Sequence, residues 1–269
     1  MIKLIFKLFY LKHGFVLFLM LLTGCGITGK TVSIPYETAK NPEAYFCPET
    51  DCSKVFEEKI ESANFSVHCA FYDIDLKNII SSLARKSKTA DVKLVIDSDN
   101  YERQIRGEGM RMDDGKQLMH DKFCVIDRGI VLTGSFNPTD NYNNYNNNNV
   151  LVVYSIWLAQ NYEDEFQELW NGEFGKGSGV KYPVLNINSI KMENYFCPED
   201  DCASRIANLI KDAKGSVKAA FFTFTNEKIA DELLKAQSRG IGVSVLIESR
   251  QRNVKNSQYQ RLKDWTGHK

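Results

Sequence analysis

Residues 120–137 read His-Asp-Lys-Phe-Cys-Val-Ile-Asp-Arg-Gly-Ile-Val-Leu-Thr-Gly-Ser-Phe-Asn. His120, Lys122, Asp127, Ser135 and Asn137 thus fall at the spacing H-x-K-x4-D-x6-G-S-x-N, which occurs once in the chain. An imidazole, an ammonium and a hydroxyl are brought to one spot with no metal-ligand set beside them. Those groups suit attack on a phosphodiester, with His120 as nucleophile and a phosphohistidine as intermediate. Lys122 would stabilise the non-bridging oxygens as preorganised positive charge. Ser135 and Asn137 would donate hydrogen bonds to the same oxygens.

The elements that must position these groups follow from periodicity. Leu118–Ile126 is apolar and β-prone, which predicts a strand. Side chains alternate along a strand, so His120 and Lys122 share one face. Asp127-Arg128-Gly129 is a turn signal, and Ile130–Gly134 reads as the returning strand. If Ile126 pairs with Ile130, Gly134 lies opposite Lys122, where a glycine would let a phosphate approach the backbone. Ser135 and Asn137 follow at the strand's end. Asp127 has the parity opposite to His120, which favours a turn-stabilising place over contact with substrate. An isolated H-x-K would read as a surface hairpin; the full set of fixed positions argues for chemistry.

This pattern resembles the HKD signature of the phospholipase D superfamily. The resemblance implies an α/β fold, a phospholipase D-like α-β-α sandwich with a mixed sheet. It also implies His120, Lys122 and Asp127 as the catalytic set, with no metal or organic cofactor. In that family two lobes meet across a pseudo-two-fold axis. One histidine attacks phosphorus and a second protonates the leaving oxygen. The strand-like run Val150–Tyr154 and the helical spacing Ala159, Tyr162, Phe166 and Trp170 extend the likeness. One position departs from it. Nuclease-like members carry Asn-x-Glu-Asn just before that strand, and here Asn148 stands in place of the glutamate. An amide brings no charge to stabilise an imidazolium.

The chain repeats itself. Tyr45-Phe-Cys-Pro-Glu-Thr-Asp-Cys52 recurs as Tyr195-Phe-Cys-Pro-Glu-Asp-Asp-Cys202, an offset of 150. Val67–Phe71 matches Val217–Phe221 at 150, and Val92–Ile96 matches Val243–Ile247 at 151. Asn226–Gly240 predicts an amphipathic helix with a glycine stop before that last strand. The same offset projects a second catalytic histidine to position 270 or 271, whereas the sequence runs to Lys269. The expectation is a second lobe cut short before its motif. A dimer in which each chain gives one histidine is the competing arrangement. The expected layout is a lipoprotein-type signal peptide over 1–24, a tether over 25–43, a first lobe over 44–182 and an incomplete second lobe over 183–269.

At the N-terminus, Lys3, Lys7 and Lys12 precede the apolar run Phe15–Leu22, and Leu22-Thr-Gly-Cys25 follows. This resembles a bacterial-type lipobox with Cys25 as the lipidated residue. The domain is therefore expected outside the cytoplasm, held at a membrane or secreted. Removing those lysines lowers 34 basic residues to 31 against 34 acidic ones, a net charge near −3 with no basic footprint for a polyanion. In an oxidising compartment the two C-x4-C pairs predict disulfides Cys47–Cys52 and Cys197–Cys202; a cross-lobe pairing stays open. Cys69 and Cys124 lie in apparent strands and read as buried small hydrophobes. His68 reads as structural. The Asn-rich run 141–149 reads as a polar loop at the mouth of the site.

The function this points to is hydrolysis of a phosphodiester, with a phospholipid ahead of a nucleic acid. The alternatives are a nuclease-like enzyme cutting DNA as a dimer, and a truncated, inactive phosphate-binding surface protein. The partners implied are the phosphodiester itself, a membrane reached through the lipid anchor, and a second copy completing the site.

Overall fold

The computed structural model describes residues 33–101 and 108–266. The signal segment and Cys25 lie outside the described residues, as does His268. Among the described residues no helix is long and apolar enough to cross a membrane.

The chain opens with strands β1 (Tyr36–Glu37) and β2 (Glu43–Cys47) and helix α1 (Cys52–Ser62). Next come β3 (Ser66–Phe71), α2 (Lys77–Lys86), β4 (Asp91–Ile96), β5 (Met110–Met112), β6 (Lys122–Ile126) and β7 (Ile130–Gly134). Helix α3 (Asp140–Asn144), β8 (Asn148–Tyr154) and α4 (Ile156–Asn171) follow. After β9 (Val184–Ile187) and β10 (Ile190–Glu193) come α5 (Cys202–Asp212), β11 (Ser216–Phe221), α6 (Glu227–Ser238), β12 (Gly242–Ile247) and α7 (Tyr259–Thr266).

Seven strands form a mixed sheet in the order β2-β8-β7-β6-β3-β4-β5, with β3, β4 and β5 parallel and the remaining pairs antiparallel. The alternation of each strand feeds two cores. Val67, Cys69, Phe71, Cys124 and Ile126 pack on the side holding Phe56 and Ile60 of α1 and Ile79 of α2. Ala70, Val95, Phe123 and Val125 pack on the side holding Leu158, Tyr162 and Phe166 of α4. Both faces are covered, as a sheet with parallel strands requires. The α-β-α sandwich implied by the sequence is the architecture found.

The internal repeat is structural as well. Helices α1 and α5 start 150 residues apart, as do β3 and β11 and as do α2 and α6, while β4 and β12 start 151 apart. Asp51 and Asp201 each cap the helix that follows, accepting from the backbone N of Lys54 and Ser204. In the second copy β11 and β12 form a parallel pair, and its own core gathers Ile210, Phe224, Ile229 and Leu233.

Three expectations are corrected. The tether does not run to residue 43: Tyr36 and Glu37 pair with Asn186 and Ile187 of β9. The Glu37 carboxylate also accepts from Ser155 Oγ and from the N–H of Ile156 at the start of α4. The core of the first lobe extends past residue 182, because Leu185 and Ile187 are fully buried among the α4 residues. Finally, Cys69 and Cys124 are joined by a disulfide. They are register partners on β3 and β6 with Cα atoms 4.1 Å apart, the close spacing of directly opposed antiparallel residues. The local pairs Cys47–Cys52 and Cys197–Cys202 are bridged as expected.

Candidate active site

The hairpin β6–β7 is the frame. Ile126 pairs with Ile130 and Phe123 with Thr133, so the next step places Lys122 opposite Gly134. The turn closes with Asp127 and Arg128 at positive φ. The strand begins at Lys122 instead of Leu118, and His120 sits on the extended segment leading into it. That segment is tied down. The buried Asp97 carboxylate, just past β4, accepts from the N–H of Met119 at 2.9 Å and from that of Asp99 at 3.0 Å. The Tyr72 N–H donates to the carbonyl of Asp121 at 3.0 Å.

His120 and Lys122 come together as expected. The Lys122 ammonium donates to the His120 carbonyl at 2.8 Å. The Tyr72 ring lies 4.7 Å from the His120 ring, centroid to centroid, and 5.3 Å from Lys122 Nζ. Burial, then the positive Lys122, holds the His120 imidazole below its ordinary value, with Asp97 opposing. Burial brings Lys122 down to about 8 against the pull of Asp121, Asp73 and Asp97. A neutral imidazole and a cationic lysine are what nucleophilic attack on a phosphodiester needs.

Asp127 is not part of this cluster. It lies at the far end of β6, roughly 20 Å from His120 along an extended strand. Its carboxylate accepts from the backbone N–H groups of Asn64, Phe65 and Ser66 at 2.8 to 3.0 Å, and from Asn64 Nδ2 at 3.1 Å. It fastens the hairpin turn to the loop entering β3, which corrects its assignment to the catalytic set.

Gly134 also has a different reason from the one expected. A Cβ there would meet the Asn149 carbonyl oxygen at 2.3 Å, and the residue has φ +144°. The close approach is that of β8, not of a ligand. Next to it, Ser135 Oγ donates to Asn148 Oδ1 at 3.0 Å and accepts from the N–H of Asn149 at 3.1 Å. Asn148 is buried and donates onward to the Tyr142 carbonyl at 3.1 Å. The amide in the glutamate's place therefore orients Ser135. Asn137 is fully buried, and neither polar atom of its side chain has a partner. The neighbouring Pro138 carbonyl accepts from the N–H groups of Asp75 and Leu76.

Behind the hairpin lies an acidic layer that the sequence did not announce. Burial pushes the Asp121 carboxyl up to about 6, with Lys122 opposing and Glu199 adding to the rise. Burial, followed by the charges of Asp121 and its acidic neighbours, takes Glu165 of α4 up to about 8. His68 lies apart from the site. It is buried, stacks on Phe166 at 4.7 Å and is held by Glu163 at 2.8 Å and Asp91 at 3.2 Å.

Tyr72 and Asp97 were missed by motif reading. A signal for both lay in the repeat, where Phe222 follows β11 as Tyr72 follows β3, and Glu248 follows β12 as Asp97 follows β4. Glu248 likewise caps the turn after its strand, accepting from the N–H of Arg250.

Known proteins agree with this construction. The family model described as "Cardiolipin synthase, PLD-like domain" matches residues 56–170 and again 206–267, the two starts being 150 apart. The chain is 28% identical over 142 residues to a protein named phospholipase D from Rickettsia typhi, covering 49% of this chain and 70% of that one. It is 38% identical over 64 residues to the mitochondrial cardiolipin hydrolase of Xenopus tropicalis, 24% of this chain and 30% of that one. The phosphatidylserine synthase structure from Haemophilus influenzae Rd KW20 shares the fold, with a TM-score of 0.56 at 11% identity over 76% of this chain and 61% of that one. With the family model matching well over half of its length in two successive blocks, the chain belongs to the phospholipase D-like family of phosphodiesterases.

Proposed function

We propose that this chain hydrolyses a phospholipid phosphodiester through a phosphohistidine on His120. The observation that carries the reading is the convergence of His120 and Lys122, the ammonium 2.8 Å from the His120 carbonyl and both groups against the Tyr72 ring. His120 attacks phosphorus and the P–O bond to the leaving group breaks. A second imidazole gives that oxygen its proton. Water then attacks phosphorus, loses its proton to that second imidazole, and the N–P bond breaks to restore His120. Lys122 and the partnerless amide of Asn137 suit the non-bridging oxygens. His68 does not suit the role of second imidazole, being 1% exposed and fully engaged. The second His120 of a homodimer supplies it in this reading.

The lipid preference rests on relatives named for phospholipid and cardiolipin chemistry and on the lipobox-like Leu22–Cys25, which would hold the enzyme at a membrane outside the cytoplasm. The test is hydrolysis of phospholipid vesicles and of plasmid DNA by the chain and by His120→Ala, with and without chelator, beside mass in solution. Vesicle hydrolysis lost in the variant and indifferent to chelator is expected. Plasmid cleavage alone would reject the lipid assignment, and activity restored only by zinc would reject the mechanism.

A further inference from the structure

We propose that Tyr72 is a positioning residue of this site, its aromatic ring fixing His120 and Lys122 in the geometry for attack. This rests on the reading of His120 as nucleophile. No motif residue does this work, and two groups that must act together need a common support. Tyr72 immediately follows β3, the strand that pairs with β6, so the sheet itself brings it to the H-x-K segment. Its backbone N–H donates to the carbonyl of Asp121, the residue between the two catalytic groups. Its ring then meets both: the imidazole at 4.7 Å in a tilted arrangement and the ammonium at 5.3 Å.

The second contact is within the range of a cation–π interaction. A lysine side chain has several free torsions, and the hydrogen bond to the His120 carbonyl and the pull of Asp121, Asp73 and Asp97 act on its charged end without fixing the direction of its stem. The ring face adds a directional constraint, and it holds charge without drawing the ammonium away from phosphate oxygens as those carboxylates do. The tilted contact with His120 restricts the imidazole in the same way. Tyr72 is only half-buried, while Phe71 beside it is fully buried in the sheet core. The ring is therefore not explained by core packing. The repeat separates ring from hydroxyl: the equivalent position holds Phe222, which keeps the ring, lacks the hydroxyl and is 71% exposed.

The experiment compares the full chain with Tyr72→Phe, Tyr72→Trp, Tyr72→Leu and His120→Ala. Hydrolysis of bis(p-nitrophenyl) phosphate is measured, together with the His120 ring-proton shifts and their titration by NMR. Tyr72→Phe and Tyr72→Trp should stay within about threefold of the parent, and Tyr72→Leu should lose about tenfold in kcat. In the leucine variant the His120 ring signals should move away from their ring-current-shifted positions while those of His68 stay. If Tyr72→Leu keeps both its rate and its His120 shifts, the inference is wrong. If Tyr72→Phe loses as much as Tyr72→Leu, the hydroxyl is the working part and the inference is also wrong. A parent chain with no hydrolysis above His120→Ala, yet with His120 shifts that respond to Tyr72→Leu, would overturn the proposed function and leave the ring contact standing. Unfolding of Tyr72→Leu, seen as loss of the His68 signals, would assign the ring to stability and overturn the positioning role unless Tyr72→Trp restores both readouts.

Discussion

The carboxylate of Asp97 accepts the backbone N–H of Met119 at 2.9 Å, one residue before the His120 imidazole. Met119 is 4% exposed and Asp97 1%, so this bond is made away from water. It joins the end of β4 to a segment that is not yet a strand. Asp97→Ala leaves a buried N–H without an acceptor, which costs about 1–3 kcal/mol, and frees the approach to His120. Hydrolysis should fall at least tenfold with a lower melting temperature. Asp97→Asn keeps one acceptor for Met119 but turns its amide NH2 against the Asp99 N–H, so its melting should fall between those of the parent and Asp97→Ala. Equal rates for parent and Asp97→Ala would show that the segment needs no such tie.

The charge of Asp97 also enters the pH profile. His120 must be neutral to attack and Lys122 cationic to hold phosphate, so kcat/KM should be bell-shaped. The acid limb should lie below the ordinary imidazole value of 6.5; on the alkaline side the rate should fall first as the second imidazole loses the proton it must give, and what is left should fall again near 8, where Lys122 loses its own. Asp97 raises both groups, so Asp97→Asn should shift both limbs to lower pH. An alkaline limb near the ordinary lysine value of 10.5 would remove Lys122 from this role.

Asp127 should matter for stability and not for rate. Burial raises its carboxyl, but the N–H groups of Phe65, Ser66 and Asn64 outweigh that and hold it below the ordinary 3.8. A depressed carboxyl contributes stability above its unfolded value and loses it as pH falls through the folded one. Asp127→Asn should therefore melt lower than the parent at pH 7, and the gap should close only as pH falls below the ordinary carboxylate value of 3.8. Asp127→Ala should cost about 0.5–1.5 kcal/mol, because water reaches most of the N–H groups it releases. A fall in kcat beyond about threefold for folded Asp127→Asn would return this residue to the chemistry.

What was legible in the sequence was whatever is local in the chain. The hairpin followed from Asp127-Arg128-Gly129 and from period-two alternation; its register was only a supposition, and Ile126 does pair with Ile130. The lobes followed from a repeat that a fixed offset reveals, and the local bridges from adjacent cysteines. What was not legible depends on which strands become neighbours. The Cys69–Cys124 bridge and the Tyr72–His120 contact both need β3 beside β6, a pairing across some fifty residues that no local pattern encodes. Gly134 shows the same limit: its glycine answers the β8 backbone at Asn149, a strand added later in the chain.

The acidic layer under the hairpin predicts an inverted pH dependence of stability. Glu165 is pushed up to about 8, first by burial and then by the charges of Asp121, Glu168, Glu199 and Asp200. Between its ordinary 4.5 and about 8 the folded chain keeps a proton that the unfolded chain has released. The folded state then binds more protons, so stability falls as pH rises through this window. Asp121, raised to about 6, adds to the same slope over the lower part. Glu165→Gln has no proton to lose and replaces a carboxyl by a neutral group of similar shape. The two proteins should melt alike at pH 5, and the variant should melt higher at pH 8, by a few °C per kcal/mol of relief. The gap should open steadily between those values. A difference in melting temperature that stays constant from pH 5 to 8 would mean that Glu165 is ionised throughout and that solvent, not its acidic neighbours, sets its charge.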